Sequence, residues 1–472
     1  MSGPFVIIGG GPCGMAAAWH LARRGARPIV LEGEDLVGGL CATHEQHGWR
    51  FDLGGHRFVS SDAELSRWVE GLLGDDLLEQ ERRSVVLHEG RTFRYPLEAA
   101  DLVRNLGPRE NVRALFGYAQ ARLLRDRAAS EGSFEGWVVS RFGRPLYDRF
   151  FGPYTEKLWG IPPSRISADW AQERISLLDL TDVALRLLRL RRTPTRTYAR
   201  RYLYPRHGMG QLYRAIAEDV VKHGGTVRTG ARVVGVETTG ARVSRLHIES
   251  TKGPESMPVG ELLSTMPLPV LVRLLVRQPS TEVDRAASAL RFRALTFVNL
   301  MLERPDFSEN TWMYVASASL ATSRIQEPKR RSRWMAPEGR TSLMLEVPCD
   351  VGDGTWNASA GELRSRGVSE LASLGFRVDD VLDSFCVRVA HGYPIYHLRY
   401  DADRRVLLDA VSRFTNVRTA GRQGLFRYVF MDAAMRMGIV SAEQMLGGRH
   451  DARALDAIGR STRVVETTAL TA

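Results

Sequence analysis

Phe5-Val6-Ile7-Ile8-Gly9-Gly10-Gly11-Pro12-Cys13-Gly14-Met15-Ala16-Ala17-Ala18, carried on through Pro28-Ile29-Val30-Leu31-Glu32, decides the fold of this chain. A short apolar run enters a glycine-rich turn, and the turn opens an Ala-rich helix from about Met15 to Arg24. Gly25 stops that helix, and a second apolar run ends on an acid. This order reads as a βαβ unit with a parallel strand pair and a right-handed crossover. Gly9, Gly11 and Gly14 fit the spacing G-x-G-x-x-G. The first permits the tight turn, the second lets backbone approach a pyrophosphate, and the third lets helix pack on strand. The helix N-terminus offers free N–H groups and a positive dipole end. Glu32 is placed to accept hydrogen bonds from a ribose diol. Glycine-rich hexapeptides also occur in bare turns; strand, helix, second strand and terminal acid together point to a dinucleotide.

Outward from this unit, the pattern from Ala63 to about Arg192 predicts mostly helix. Tyr202-Leu203-Tyr204-Pro205 reads as a strand, and Gly208-Met209-Gly210 leads into a helix near Gln211 to His223. Gly224-Gly225 ends it before a strand at Thr226-Val227-Arg228. Alternating strands fill Arg232 to Ser250, and Leu262–Pro267 reads as the last strand of a nucleotide-binding half. Residues 290–400 mix strands with helices, and Gly421 to about Met445 reads as a turn and a helix. The fold class predicted is α/β: a discontinuous Rossmann-like cofactor domain with an inserted mixed α+β substrate domain. The cofactor domain takes residues 1–60, 200–270 and 415–447. The inserted helical and substrate-binding part takes 61–199 and 271–414. Residues 448–472 form a tail predicted to lack regular order.

The totals agree with a globular chain of two intertwined or sequential domains. The chain has 472 residues, 44% apolar and 25% charged, with a formal net charge of +11. Such a basic balance fits an anionic small molecule, an acidic membrane surface or nucleic acid. No nucleic-acid-binding signature accompanies it, so nucleic acid is not predicted. Cys13, Cys41, Cys349 and Cys386 form no C-x-x-C pair, so neither a metal site nor a redox dithiol is predicted. Their scatter reads as reduced thiols of a cytoplasmic protein. The N-terminus opens a strand rather than a signal peptide. The best apolar run, Leu262 to Val276, is interrupted by Pro267, Pro269 and Arg273, too soon to span a bilayer. Between Arg186 and Arg201, arginines alternate with Leu187, Leu188 and Leu190. That stretch reads as a solvated basic segment, with peripheral membrane contact as the other reading. Nothing in the sequence fixes an oligomeric state.

Past Glu32 come Gly38-Gly39-Leu40-Cys41-Ala42-Thr43 and Phe51-Asp52-Leu53-Gly54-Gly55-His56. These resemble the second glycine pair and the G-G-H turn of glutathione-reductase-like flavoproteins, a superfamily that includes amine oxidases, protoporphyrinogen oxidases, phytoene desaturases and UDP-galactopyranose mutases. The resemblance implies FAD, with Gly9, Gly11, Gly14, Glu32, Gly39, Gly55, His56, Val233, Gly421 and Asp432 as cofactor contacts. A narrower resemblance runs through most of the chain. Arg94-Tyr95-Pro96-Leu97, Gly143-Arg144-Pro145-Leu146-Tyr147 and Pro153-Tyr154-Thr155-Glu156-Lys157-Leu158-Trp159-Gly160 are similar to blocks of UDP-galactopyranose mutases. So are Trp170-Ala171-Gln172-Glu173-Arg174, Thr322-Ser323-Arg324-Ile325, Gly392-Tyr393-Pro394-Ile395 and Gly421-Arg422-Gln423-Gly424-Leu425-Phe426-Arg427-Tyr428, with Met431-Asp432 beyond.

That resemblance implies a nucleotide-sugar substrate. A diphosphate calls for arginine forks, and the family's pair matches Arg174 and Arg324. Tyr154, Tyr393 and Tyr428 match neutral phosphate donors, and Trp159 a stacking face for the base. Arg422 and His56 match residues beside the flavin. His56, Arg174, Arg324 and Arg422 are therefore the candidate catalytic residues, in a ring isomerisation through flavin N5. Core packing is the competing reading for the tyrosines, Trp159 and His56, and a solvated surface for each arginine. Departures from the mutase pattern, including His207 and Ala433-Ala434-Met435, leave the sugar open. The alternative is an oxidoreductase of the protoporphyrinogen oxidase or amine oxidase kind, passing hydride from a sugar, amine or alicyclic carbon to flavin.

Overall fold

The computed structural model describes residues 3–95, 104–123, 132–174 and 201–461. The opening strand, Phe5–Ile8, lies at the centre of a five-stranded parallel sheet in the order Val417–Thr419, Glu261–Ser264, Phe5–Ile8, Ile29–Leu31, Thr226–Arg228. Its three central strands, largely buried, are near-continuous apolar runs, as the interior of a parallel sheet requires. From Phe5–Ile8 the chain steps outward through Ile29–Leu31 to Thr226–Arg228. It then returns to the opposite side of the first strand at Glu261–Ser264. The order therefore reverses beside Phe5–Ile8, and the carboxyl ends of these strands flank a crevice where doubly wound sheets bind ligands. The glycine turn opens into that crevice, and Thr265 closes its side by donating its hydroxyl to Ile8 O at 2.9 Å.

Helix Pro12–Arg23 covers one face of the sheet and packs against helix Met431–Leu446. The approach is close because both surfaces are small: a Cβ added at Gly438 would sit 2.1 Å from Cys13 O. An antiparallel three-stranded sheet, Ala231–Thr239, Arg242–Ser250 and Gly253–Pro258, follows the strand at Thr226–Arg228.

The second large element is a seven-stranded sheet in the order Val381–Pro394, Phe292–Leu302, Thr341–Cys349, Arg324–Gln326, Trp312–Val315, Ser84–His88, Arg91–Arg94. Its strands run antiparallel to their neighbours except where Trp312–Val315 meets Ser84–His88. Two expectations are corrected here. The helical reading of residues 63–192 fails over 77–94, where Leu77–Glu81 pairs with Arg201–Pro205 and the next two strands edge this sheet. Leu77–Glu81 and Ser84–His88 take partners from more than a hundred residues away, and Arg91–Arg94 then pairs with Ser84–His88 across a short turn; no local periodicity reports the distant pairing. The tail is ordered at first: Ala452–Ser461 is a helix with Leu455 buried and Asp456 Oδ1 2.8 Å from Arg404 Nη1. Residues 186–200 of the basic stretch lie outside the described residues; Arg201 pairs with Glu79 at 3.0 Å. Among the described residues no helix is long and apolar enough to cross a membrane.

Candidate active site

At the turn, Gly9 has φ +100°, a conformation that favours glycine. A Cβ on Gly14 would lie 1.9 Å from Gly9 O, so this glycine sets the contact of helix on strand. Gly11 differs: a Cβ there would meet only Gly39 Cα, at 4.0 Å. The space above it is open to a ligand, and Gly39, at φ +52°, forms the facing wall. Gly11 caps the helix without a side-chain hydrogen bond, and its first turn holds no acid. Free N–H groups and an uncompensated dipole end thus face that space. Glu32 is buried and accepts Gly10 N–H at 2.6 Å and Glu34 N–H at 2.9 Å. Burial pushes its pKa up, opposed by those backbone donors. Its carboxylate ties turn to strand end and keeps lone pairs for a ribose. This cradle fits the pyrophosphate of FAD.

Val233 is buried where Ala231–Thr239 irregularly pairs with Arg242–Ser250, on the far side of Glu32, whose carbonyl accepts Ala231 N–H. Gly421, at φ +82°, approaches Cys13: a Cβ there would lie 3.1 Å from Cys13 Cβ. Asp432 sits in the first turn of Met431–Leu446, buried, with Oδ1 unpartnered. Burial raises its pKa to about 6, against hydrogen bonds from Ala433 N–H and Ser60.

The other half of the site is a row across the seven-stranded sheet. Tyr314 pairs in register with Arg324, and Arg324 with Glu346, so three side chains stand side by side on one face. Arg324 Nη1 is 3.6 Å from Glu346 Oε2, and its guanidinium lies 5.4 Å from the Tyr314 ring centroid. Tyr393 donates its hydroxyl to Glu346 Oε1 at 3.1 Å, and Tyr154 hydrogen-bonds to Arg324. Gly55 lies directly over this row: a Cβ on it would stand 2.9 Å from Arg324 Nη1. Burial opposes the charge on Arg324, but Glu346 and the surrounding tyrosines hold its pKa well above the ordinary value.

His56 follows Gly55. Burial lowers its pKa to about 3, and Arg422, Arg331 and Arg324 push in the same direction. It is a neutral imidazole among three guanidiniums, with Nδ1 lacking a partner. Arg422 donates through Nη2 to Val429 O at 2.8 Å and stacks 4.3 Å from the Tyr428 ring centroid. Tyr428 lies 5.8 Å from Tyr393. The structure therefore gathers His56, Tyr154, Arg324, Tyr393, Arg422 and Tyr428 in one place.

Two expected residues stand apart. Trp159 is 1% exposed, edge-on to Trp170 at 4.6 Å and 6.0 Å from Tyr393. Buried to that degree against Trp170, the indole packs as a core side chain, the competing reading of the sequence. Arg174 closes helix Ala168–Arg174, and its side chain lies outside the described residues.

Sequence reasoning missed the partners of these groups. Glu346 is fully buried, with Oε2 facing Arg324 but making no hydrogen bond, and its signal was a lone acid in the apolar run Ser342-Leu343-Met344-Leu345-Glu346-Val347. Arg331 is 1% exposed, hydrogen-bonds Gln326 Oε1, and lies 3.9 Å from Asp52 Oδ2. Asp52 also accepts Tyr204 OH at 2.5 Å and Thr43 Oγ1 at 2.6 Å. Arg331 sits in the basic run Lys329-Arg330-Arg331-Ser332-Arg333, which gives no sign of a buried arginine.

A model of flavin containing amine oxidoreductases matches residues 12–446. A phytoene dehydrogenase of Streptomyces griseus is 25% identical over 422 residues, 78% of each chain. A chloroplastic protoporphyrinogen oxidase 1 of Arabidopsis thaliana is 31% identical over 172 residues, 34% of this chain and 31% of that one. A crystal structure of reduced UDP-galactopyranose mutase superposes over 100% of both chains, with a TM-score of 0.82 at 22% identity. At that identity the match speaks for the fold.

Proposed function

The chain belongs to the flavin containing amine oxidoreductase family and is an FAD-dependent enzyme, and from that premise we propose that it isomerises a nucleotide-activated sugar without net oxidation. The observation that carries this reading is Arg324, half-buried beneath Gly55 and ringed by the phenols of Tyr154, Tyr314 and Tyr393. A guanidinium fork among neutral hydroxyl donors is the donor set a diphosphate requires. Bound FAD supplies a reactive N5 centre toward the sugar carbon. Arg324 holds the departing diphosphate in place and stabilises its charge. Tyr154 and Tyr393 donate to the same oxygens. Neutral His56 offers a ring nitrogen beside the flavin without adding charge. Arg174, matched through the mutase resemblance, supplies the second fork.

The test reduces the purified protein with dithionite and adds UDP-galactose or a TDP-deoxysugar. The expected result is a new isomer that forms only with reduced flavin. Arg324→Glu and Arg174→Glu are each expected to abolish nucleotide-sugar binding with FAD retained. Unchanged binding in both variants removes the diphosphate reading.

A second reading rests on Glu346. This buried carboxylate already balances Arg324, and Asp52 lies beside Arg331. A site whose cations are so matched suits an uncharged substrate that gives hydride to flavin. Glu346→Gln separates the two. Under the first reading it tightens nucleotide-sugar binding, because a repelling anion is gone. Under the second, flavin bleaching by substrate and subsequent oxygen uptake are seen in the wild type, and no nucleotide sugar binds.

A further inference from the structure

Helix Pro108–Leu123 is built inside out for a water-soluble surface. Its inner side meets the protein with Glu110, Ala114, Gly117 and Ala121. Gly117 sits so close to Gly143 and Pro145 that a Cβ on it would stand 2.5 Å from Pro145 Cδ. Its outer side carries Val112, Leu115, Phe116 and Leu123, which are 66%, 67%, 72% and 84% exposed. Their spacing of three, four and seven residues puts them on one stripe. A contiguous large-residue patch of this kind is not the ordinary scatter of surface apolar groups.

The charges around the stripe say what covers it. Helical spacing places Arg109 and Arg113 along one margin and Arg122 along the other, all exposed. The nearest acid of the helix, Glu110, turns inward and accepts from Arg149 at 2.6 Å. An apolar stripe bordered by cations on both sides matches the boundary of an anionic bilayer, with aliphatic chains below and phosphate headgroups beside them. A second copy of this chain fits poorly, because a two-fold contact would set the same arginines against each other.

We propose that helix Pro108–Leu123 seats this enzyme on an anionic lipid surface, lying in the interface with Leu115 and Phe116 inserted. The helix crosses nothing: it is a monotopic contact, and it holds under either reading of the active site.

The experiment sediments FAD-loaded protein with sucrose-filled vesicles of phosphatidylcholine alone or mixed with phosphatidylglycerol. The wild type is expected to pellet with the mixed vesicles, several-fold less with the neutral ones, and less at high salt. Leu115→Gln with Phe116→Gln is expected to cut binding at least tenfold with the flavin spectrum and melting temperature unchanged. Arg109→Glu with Arg122→Glu, on the exposed rim, is expected to weaken it on anionic vesicles and abolish its salt dependence. Failure of the wild type to bind any vesicle overturns the proposal, as does binding that both double variants leave intact. A dimer in analytical ultracentrifugation that Leu115→Gln with Phe116→Gln dissolves, without vesicle binding, overturns it in favour of a second copy.

Discussion

Gly11 and Gly14 stand three residues apart in one turn, yet they answer to different constraints. The Cβ of Gly14→Ala would press on Gly9 O at 1.9 Å, which forces strand and helix apart. It is expected to cost about 2–3 kcal/mol of apoprotein stability by denaturant unfolding. Gly11→Val points its side chain into open space beside Gly39. It is expected to leave apoprotein stability unchanged and to abolish flavin retention, read as flavin per protein after gel filtration. His56 governs acid sensitivity. Its folded pKa, about 3, lies below the ordinary value of 6.5, so the unfolded chain takes the proton first. Its contribution is therefore complete above pH 6.5 and is lost as pH falls toward 3. Asp432, raised from 3.8 to about 6, acts in the opposite sense: stability declines as pH rises across that window. His56→Gln is expected to flatten the acid loss of apoprotein melting temperature, and Asp432→Asn to remove the decline toward pH 6. A glycine triplet and a terminal acid are legible because their requirements are local. Arg331 and Glu346 were not, because only tertiary pairing separates a buried ion from a solvated one.

Among the elements, the segment between Val315 and Thr322 shows how the row under Gly55 is held. Lys157, from helix Gly152–Trp159, donates Nζ to Val315 O at 2.6 Å, Ser317 O at 2.9 Å and Thr322 O at 3.0 Å. Glu370 accepts the N–H groups of Ala321 and Thr322 at 2.8 and 2.9 Å. The segment so fastened leads straight into Arg324. Lys157→Met leaves three carbonyls without a donor and is expected to cost about 2–3 kcal/mol. It is also expected to raise KM more than it lowers kcat, because Arg324 loses its fixed position. In the sequence this lysine belongs to a block recognised by resemblance, and nothing in its spacing tells a structural cation from a substrate-binding one. Leu77–Glu81 and Ser84–His88 were hidden for a related reason: the strands they pair with lie far along the chain. Helix Pro108–Leu123 carries a clear apolar stripe in the sequence, but which side of it faces the protein is settled only by the contact at Gly117.

For the whole molecule, the parallel sheet supplies one wall of the site and the seven-stranded sheet the other. The Gly54-Gly55-His56 turn bridges them: Gly54 O accepts from Arg331 at 3.4 Å, and Gly55 covers Arg324. Four strands of the parallel sheet were readable, three as apolar runs and Thr226–Arg228 from the Gly224-Gly225 stop before it; Val417–Thr419 was not, because its short mixed run gains strand character only beside Glu261–Ser264. The second sheet was readable only in part, since its site face is completed by residues far apart in the chain, as Tyr393 meets Glu346 and Gly55 covers Arg324. One extended dinucleotide running from the Gly11 turn to the arginine row uses both walls, and that is the central claim. The measurement that tests it most directly is the visible absorbance of wild type, Gly11→Val and Arg324→Met, each purified after reconstitution with FAD. The expected result is a flavin band in the wild type, its loss in Gly11→Val, and in Arg324→Met a band of full intensity but shifted wavelength, since a charge beside the ring is gone. A colourless wild type, or a Gly11→Val variant that keeps its flavin, contradicts it.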